Sequence, residues 1–364
     1  MAKLKLIALV IISSYAVISC AGYKNACSSQ NNEKEIKNVI LMIGDGMGLA
    51  HVYAAMTISP TPLNIERATV TGLQKNYSAS DYITDSGASG TAMATGTKTR
   101  NRSIGVDPYG NKLKSILVIS EDNGLATGLV STSAITHATP ASFVAHQTGR
   151  ENYEGIALDF LKTDIDVMIG GGYKFFAKRK DNLNLIDSLK NKGYDVQTDL
   201  NGILKSNSTK LAGFTADDGN PYRLKGRRNM LPASTGKAID ILSKDKDGFF
   251  LMVEGSEIDW AAHDNHADTT IDEVFDFDQA IGVAMNFAER DGHTLVIVTC
   301  DHETGGVTIT EGDRAKHTAK LEFSSEEHTA VMIPVYAFGP GAEKFTGIYD
   351  NTDIFRKIKA ALGL

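Results

Sequence analysis

Acids and histidines recur in this chain in short runs whose spacing suits shared cations. Asp259-Trp260-Ala261-Ala262-His263 sets a carboxylate and an imidazole four residues apart, which on a helix brings both to one face and within reach of one ion. A pair of this kind also arises as a plain surface contact, but Glu254 stands five residues upstream. Asp301-His302-Glu303-Thr304-Gly305-Gly306 repeats the combination of oxygen and nitrogen donors, and Glu326-Glu327-His328-Thr329 adds a further imidazole. In Gly44-Asp45-Gly46-Met47-Gly48 the acid is either a helix cap or a ligand. This spacing is not a dinucleotide fingerprint, and an acid at its centre repels phosphate unless metal intervenes. Imidazole with carboxylate suits zinc and related ions, and oxygen donors alone suit magnesium. The carboxylates of Asp45, Glu254, Asp259 and Asp301 could not stay ionised together without cations, because two like charges about 4 Å apart repel by on the order of 4 kcal/mol at an effective dielectric near 20. Two or three divalent ions would resolve that repulsion.

Asp85-Ser86-Gly87-Ala88-Ser89-Gly90-Thr91-Ala92-Met93-Ala94 is built almost wholly of small residues. A helix starting at Ser86 can therefore lie close to a sheet and aim its free N–H groups at an anion, although close packing alone would also explain the run. With metal beside it, Ser86 is a candidate nucleophile, since coordination lowers a hydroxyl pKa enough to form an alkoxide. Arg150 lies eleven residues beyond Thr139 in His137-Ala138-Thr139-Pro140. A guanidinium there would clamp phosphate oxygens in two-pronged fashion, where most arginines make only a surface ion pair.

These residues need a frame. Short β-branched runs, 39–43, 127–131, 166–169, 249–253, 294–299 and 331–338, alternate with helical segments, which predicts an α/β fold: a three-layer sandwich with a central, mostly parallel sheet covered by helices on both faces. The stretch 173–232 reads as an elaboration of the same domain, with a helix at 184–192. Asp45, Glu254 and Asp301-His302 each follow a strand, and ligands in open α/β sheets bind just beyond the carboxyl ends of the strands. One shared site is expected at that edge.

The 364 residues, 42% of them hydrophobic, suffice for a full core, and the net charge of −7 without a dense basic block excludes a nucleic-acid footprint. Small-molecule substrates fit better. Lys3 and Lys5 precede an apolar run from Leu6 to Ile18 and then Ser19-Cys20-Ala21, the layout of a signal peptide over 1–21. Cys20 sits as in a bacterial lipobox, so cleavage before it with lipid attachment and cleavage after Ala21 are both open. Export follows in either case, to the periplasm or as a membrane-anchored lipoprotein. Residues 22–37 read as a flexible tether, leaving 38–364 as a single catalytic domain. No disulfide is expected from Cys20, Cys27 and Cys300.

Together the motifs resemble those of the alkaline phosphatase family, in the family's order, from about Val39 to the C-terminus. The resemblance implies one zinc on Asp259, His263 and His328, a second zinc on Asp45, Asp301 and His302 beside Ser86, and magnesium on Asp45, Thr139 and Glu254. Arg150 would bind the substrate phosphate, steadied by Asp85, with Trp260 alongside and His137 supporting the third ion. It further implies in-line attack by Ser86 on a phosphate monoester, a phosphoserine intermediate, its hydrolysis to inorganic phosphate, and a homodimer. The enterobacterial form of the family carries Asp in place of His137 and Lys in place of Trp260; these departures point to a looser third ion, weaker product retention and an alkaline optimum. A phosphodiesterase of the same fold is the enzymatic alternative. An exported phosphate- or metal-binding lipoprotein without turnover is the non-catalytic one.

Overall fold

Alternation along one strand explains the layering. In Asn38–Gly44 the side chains of Val39, Leu41 and Ile43 enter one apolar cluster, while Ile40 and Met42 enter another on the opposite face. Both faces are thus covered, the first by helices that include Ser86–Thr95, the second by Leu49–Ile58, Met230–Leu242 and Ala267–Asp291. The computed structural model describes residues 35–364, and these belong to a compact unit, Lys34–Leu364. The signal segment, Cys20 and Cys27 lie outside the described residues.

The strands are β1 (Asn38–Gly44), β2 (Val70–Lys75), β3 (Ala126–Ala134), β4 (Val167–Gly171), β5 (Asp195–Gln197), β6 (Leu211–Phe214), β7 (Phe249–Gly255), β8 (Thr294–Thr299), β9 (Glu303–Thr304), β10 (Val307–Asp313), β11 (Thr318–Phe323), β12 (His328–Thr329), β13 (Ile333–Phe338) and β14 (Gly347–Asp350). Ten of them form one sheet in the order β14-β2-β13-β8-β1-β7-β3-β4-β6-β5. All its pairings are parallel except those of β13 with β8 and β2. The expected α/β architecture with a mostly parallel sheet is therefore what the chain adopts.

Register brings the site together. Ile43 of β1 is opposite Glu254 of β7 and Thr299 of β8, and Glu254 is opposite Ser131 of β3, so the residues that follow β1, β7 and β8 emerge at one level of one edge. β9 and β12 pair antiparallel beyond that edge, and β10 and β11 form a separate hairpin.

Three details differ from the sequence reading. The last apolar run forms a strand only from Ile333, because Val331 and Met332 are about half exposed (48% and 47%), and that strand runs antiparallel. The end of the segment read as a tether is held by the domain: Ile36 packs against the core and the Lys37 N–H donates to the His293 carbonyl at 3.0 Å, while residues 22–34 lie outside the described residues. The helix expected at 184–192 spans Leu185–Asn191, with Asn184 as its cap. Cys300 is a free thiol, buried at the end of β8.

Candidate active site

Ser86 opens its helix with Asp85 as the capping residue. One carboxylate oxygen of Asp85 accepts from the Ala88 and Arg102 N–H groups, both at 3.0 Å, and the other accepts from Arg150 Nη1 at 2.7 Å. Burial pushes the Asp85 pKa up, but Arg150 and these N–H donors outweigh it and hold the group below its ordinary value. Asp85 is thus an anion that fixes both the helix start and the arginine. Ser86 is buried, and its Oγ lies 3.3 Å from His302 Nε2.

That contact raises the question of a Ser-His-Asp triad. In a triad the acid holds the imidazole nitrogen remote from the serine. Here Asp45 Oδ1 and Asp301 Oδ2 lie 3.5 and 3.3 Å from the same Nε2 that faces Ser86, while Nδ1 sits 3.3 Å from Thr304 Oγ1 and 4.0 Å from Asp259 Oδ1, beyond hydrogen-bond reach of that acid. Several donors converge on one point next to the hydroxyl, as around a cation. A second convergence lies beside it: Asp259 Oδ1 is 3.4 Å from His263 Nε2 and 3.6 Å from His328 Nε2, and the two imidazole nitrogens are 3.1 Å apart. The other nitrogen of each ring faces a backbone carbonyl, Glu326 for His263 and Thr84 for His328 (2.9 Å). A carbonyl only accepts, so Nδ1 carries the hydrogen in both rings and Nε2 is left as the donor to a metal.

The third group is Asp45, His137 and Glu254, whose donor atoms lie within 4.8 Å of one another. Glu254 Oε2 is held by the Ser131 and Ser133 hydroxyls, whereas its Oε1, the Thr139 hydroxyl and His137 Nδ1 are buried without a partner. Both oxygens of Asp45 and Oδ2 of Asp301 are orphaned in the same way. Burying so many polar atoms unpaired costs roughly 1–3 kcal/mol each or more. Bound cations would satisfy them, so the residues present fit two zinc-type sites and one oxygen-rich site.

Electrostatics agree. Burial, and then the charges of Asp301, Asp259 and Glu254, push Asp45 well above the carboxylate range; burial and Asp259 push Asp301 up to about 7. Its hydrogen bond to Asp259 raises His263 to about 9, while burial drives His302 well below its ordinary value. Without metal these carboxyls hold protons that an ion would displace.

Arg150 reaches from Asp85 toward His137, whose Nε2 is 3.4 Å from Nη2. Burial and the Arg150 charge lower His137 to about 3, so the ring is neutral and able to ligate. The sequence reading gave His137 only a supporting part; the structure puts it at ligand distance. Trp260 meets the His137 ring edge-on, with centroids 5.7 Å apart. The partners of these side chains become visible only in the fold. Thr304 donates its hydroxyl to Asp259 Oδ1, and Ser131 and Ser133 steady Glu254. Thr304 lies inside a run already singled out, but a hydroxyl two residues from a histidine carries no signal of its own.

A family model described as alkaline phosphatase matches residues 36–323 and 307–364. Alkaline phosphatase 4 of Bacillus subtilis is 38% identical, with 92% of each chain covered. The Escherichia coli alkaline phosphatase is 34% identical over 92% of this chain and 87% of its own. Among solved structures, the alkaline phosphatase of the Antarctic bacterium TAB5 superposes with a TM-score of 0.86 at 42% identity, covering 90% of this chain and 98% of the other. A histidine-to-aspartate mutant of that protein has been solved with magnesium bound in its M3 site. Fold, family model and relatives agree: the chain belongs to the alkaline phosphatase family. It is an enzyme, a phosphatase of that family.

Proposed function

We propose that the enzyme hydrolyses small phosphate monoesters to an alcohol and inorganic phosphate through a phosphoserine on Ser86. One observation carries this reading: Ser86 Oγ stands 3.3 Å from a histidine nitrogen that Asp45 and Asp301 also face, with both Asp45 oxygens orphaned. Asp259, His263 and His328 would hold one zinc; Asp45, Asp301 and His302 the second; Asp45, Thr139 and Glu254 magnesium, with His137 Nδ1 adjoining. Bound there, the ions lower the pKa of the serine hydroxyl and of water and neutralise charge on the transferring phosphoryl group.

The chain supplies the rest. The N-terminal N–H groups of helix Ser86–Thr95 and the Arg150 N–H groups not committed to Asp85 receive phosphate oxygens. Ser86 Oγ forms a bond to phosphorus as the ester oxygen leaves and takes a proton. Water then attacks phosphorus from the vacated side, the bond to Oγ breaks, and phosphate departs. Asp85, held ionised, keeps Arg150 in place through both steps. Beyond the site, the proposal includes export, by signal cleavage or by a lipid anchor on Cys20, and a homodimer; fractionation with mass analysis of the mature N-terminus, and light scattering, test these.

Purified protein loaded with zinc and magnesium should hydrolyse p-nitrophenyl phosphate with an alkaline optimum, and much faster than bis-p-nitrophenyl phosphate. Ser86→Ala should lose at least about 10³-fold in kcat, by analogy with other nucleophile deletions. An unchanged rate in Ser86→Ala, a preference for the diester, or an optimum below neutrality refutes this reading.

A further inference from the structure

His328 stands in a strand of two residues, His328–Thr329, whose pairing with Glu303–Thr304 is too short to be stable by itself. Something else must hold its register, and Glu303 is placed to do so. Its side chain is 4% exposed and both carboxylate oxygens are engaged. Oε1 accepts from the Val307 N–H at 2.9 Å, and Oε2 accepts from the Thr329 hydroxyl, next in sequence to His328. Its methylene lies so close to the loop after Asp45 that a Cβ on Gly48 would fall 2.3 Å from Glu303 Cγ. Backbone bonds run the same way: Thr304 N–H donates to the Gly46 carbonyl at 3.1 Å and Gly305 N–H to the Glu327 carbonyl at 3.0 Å. Glu303 therefore touches all three segments that deliver Asp45, Asp301-His302 and His328, yet it has no free oxygen to offer an ion.

We propose that Glu303 is a positioning residue, a carboxylate latch that sets His328 against His302 and so tunes the affinity of the zinc held by Asp259, His263 and His328. The consequence is selective. Asp45, Asp301 and His302 follow closely on the central strands β1 and β8, and Asp301 Oδ1 ties the two loops by accepting from the Gly46 and His302 N–H groups, so their zinc would depend less on the latch. His328 owes its place to a two-residue strand, the Thr84 carbonyl and Glu303.

The inference rests on the two-zinc reading, and zinc binding tests both separately. Metal-free full-length protein is titrated with zinc against a chromophoric chelator. Wild type should take up two tight zinc ions; uptake of none or one refutes the two-zinc reading and the latch with it. In Glu303→Ala, one of the two ions should bind about 10–100-fold more weakly, the size of effect seen for partners of metal ligands, while the other is unchanged. Glu303→Gln should restore most of the loss, since its carbonyl can accept from Val307 and its amide can donate to the Thr329 hydroxyl. Thr329→Val, which keeps the fold's bulk at that place, should weaken the same ion part of the way. The metal-free protein should melt lower only by the loss of the hydrogen bonds to Val307 and Thr329, while the zinc-loaded form should fall further. Wild-type affinity for both ions in Glu303→Ala, equal loss at both, no rescue by Gln, or an equal drop in melting of the metal-free protein would overturn the latch.

Discussion

Two buried places in this molecule crowd acids together, and they are neutralised differently. Beneath the helix that carries Asp259, the acids Glu257, Glu273 and Asp276 surround the buried side chain of Arg227, which bonds Glu273 and Asp276 (2.9 Å) and lies 3.4 Å from Glu257. Burial pushes Glu257 up to about 8 and Arg227 pulls against it. At the sheet edge Asp45, Glu254, Asp259 and Asp301 are as deeply buried, but the guanidinium that acts on Asp45, that of Arg150, is already paired with Asp85. The first cluster brings its own cation and cross-links elements. Both keep buried oxygens without partners, Glu257 Oε1 and Oε2 and Asp276 Oδ1 in the first, but the second has no guanidinium to spare and sets histidines at ligand spacing, so it is the one built to import charge. Counting acids does not separate the two; what faces them does.

Four experiments can break that contrast. Stripping divalent ions should cut monoester hydrolysis by on the order of 10³ or more, equivalent to several kcal/mol of lost transition-state stabilisation, and zinc with magnesium should restore it. Full activity after stripping would mean that the edge needs no imported charge. Arg227→Met should lower stability by about 3–5 kcal/mol in denaturant unfolding, because it leaves three buried acids uncompensated, yet zinc stoichiometry should not change. A smaller but readable effect concerns pH in the metal-free protein. Asp301, raised to about 7, and His263, raised to about 9, both bind protons more tightly folded than unfolded. Their contribution is complete below the unfolded pKa values and is lost as pH rises through about 7 and then 9; His137 and His302, lowered by burial, run the other way but are neutral both folded and unfolded above about pH 7, so the metal-free melting point should fall between pH 7 and pH 9. The zinc-loaded protein should fall less over the same window, since zinc favours the deprotonated ligands; parallel curves would contradict the assignment. Smallest, Arg150→Lys should lower kcat/KM for a monoester about tenfold, because an ammonium keeps the charge but not the planar fork.

Much of this was legible in the sequence, for a physical reason. Asp45, Glu254 and Asp301-His302 follow apolar runs, and the parallel sheet sends the carboxyl ends of those runs to one edge. The helix start at Ser86 was legible because Asp85 caps it and small residues follow. The nearness of His137 to Asp45 and Glu254 depends on how the chain turns after β3, which no local pattern encodes. Strand β13 runs against its neighbours although its composition matches theirs, because direction is set by connection and not by hydrophobicity. The edge strands β5 and β14, and β2 beside β14, are short or half-exposed and lack a distinct period. Thr304, Ser131 and Ser133 act only through partners distant in sequence.

The position of β1 between β7 and β8, near the middle of the sheet, has a consequence for how the enzyme fills with metal. The carboxylate that follows β1 has both oxygens unpaired and belongs to two groups of ligating side chains, one with Asp301 and His302 and one with Glu254 and His137. On the proposed reading, a first ion would displace the proton from Asp45 and fix its carboxylate, so a second would meet an anion already in place. Occupancy of the two proposed sites would then be cooperative, and trace magnesium would raise the affinity for zinc.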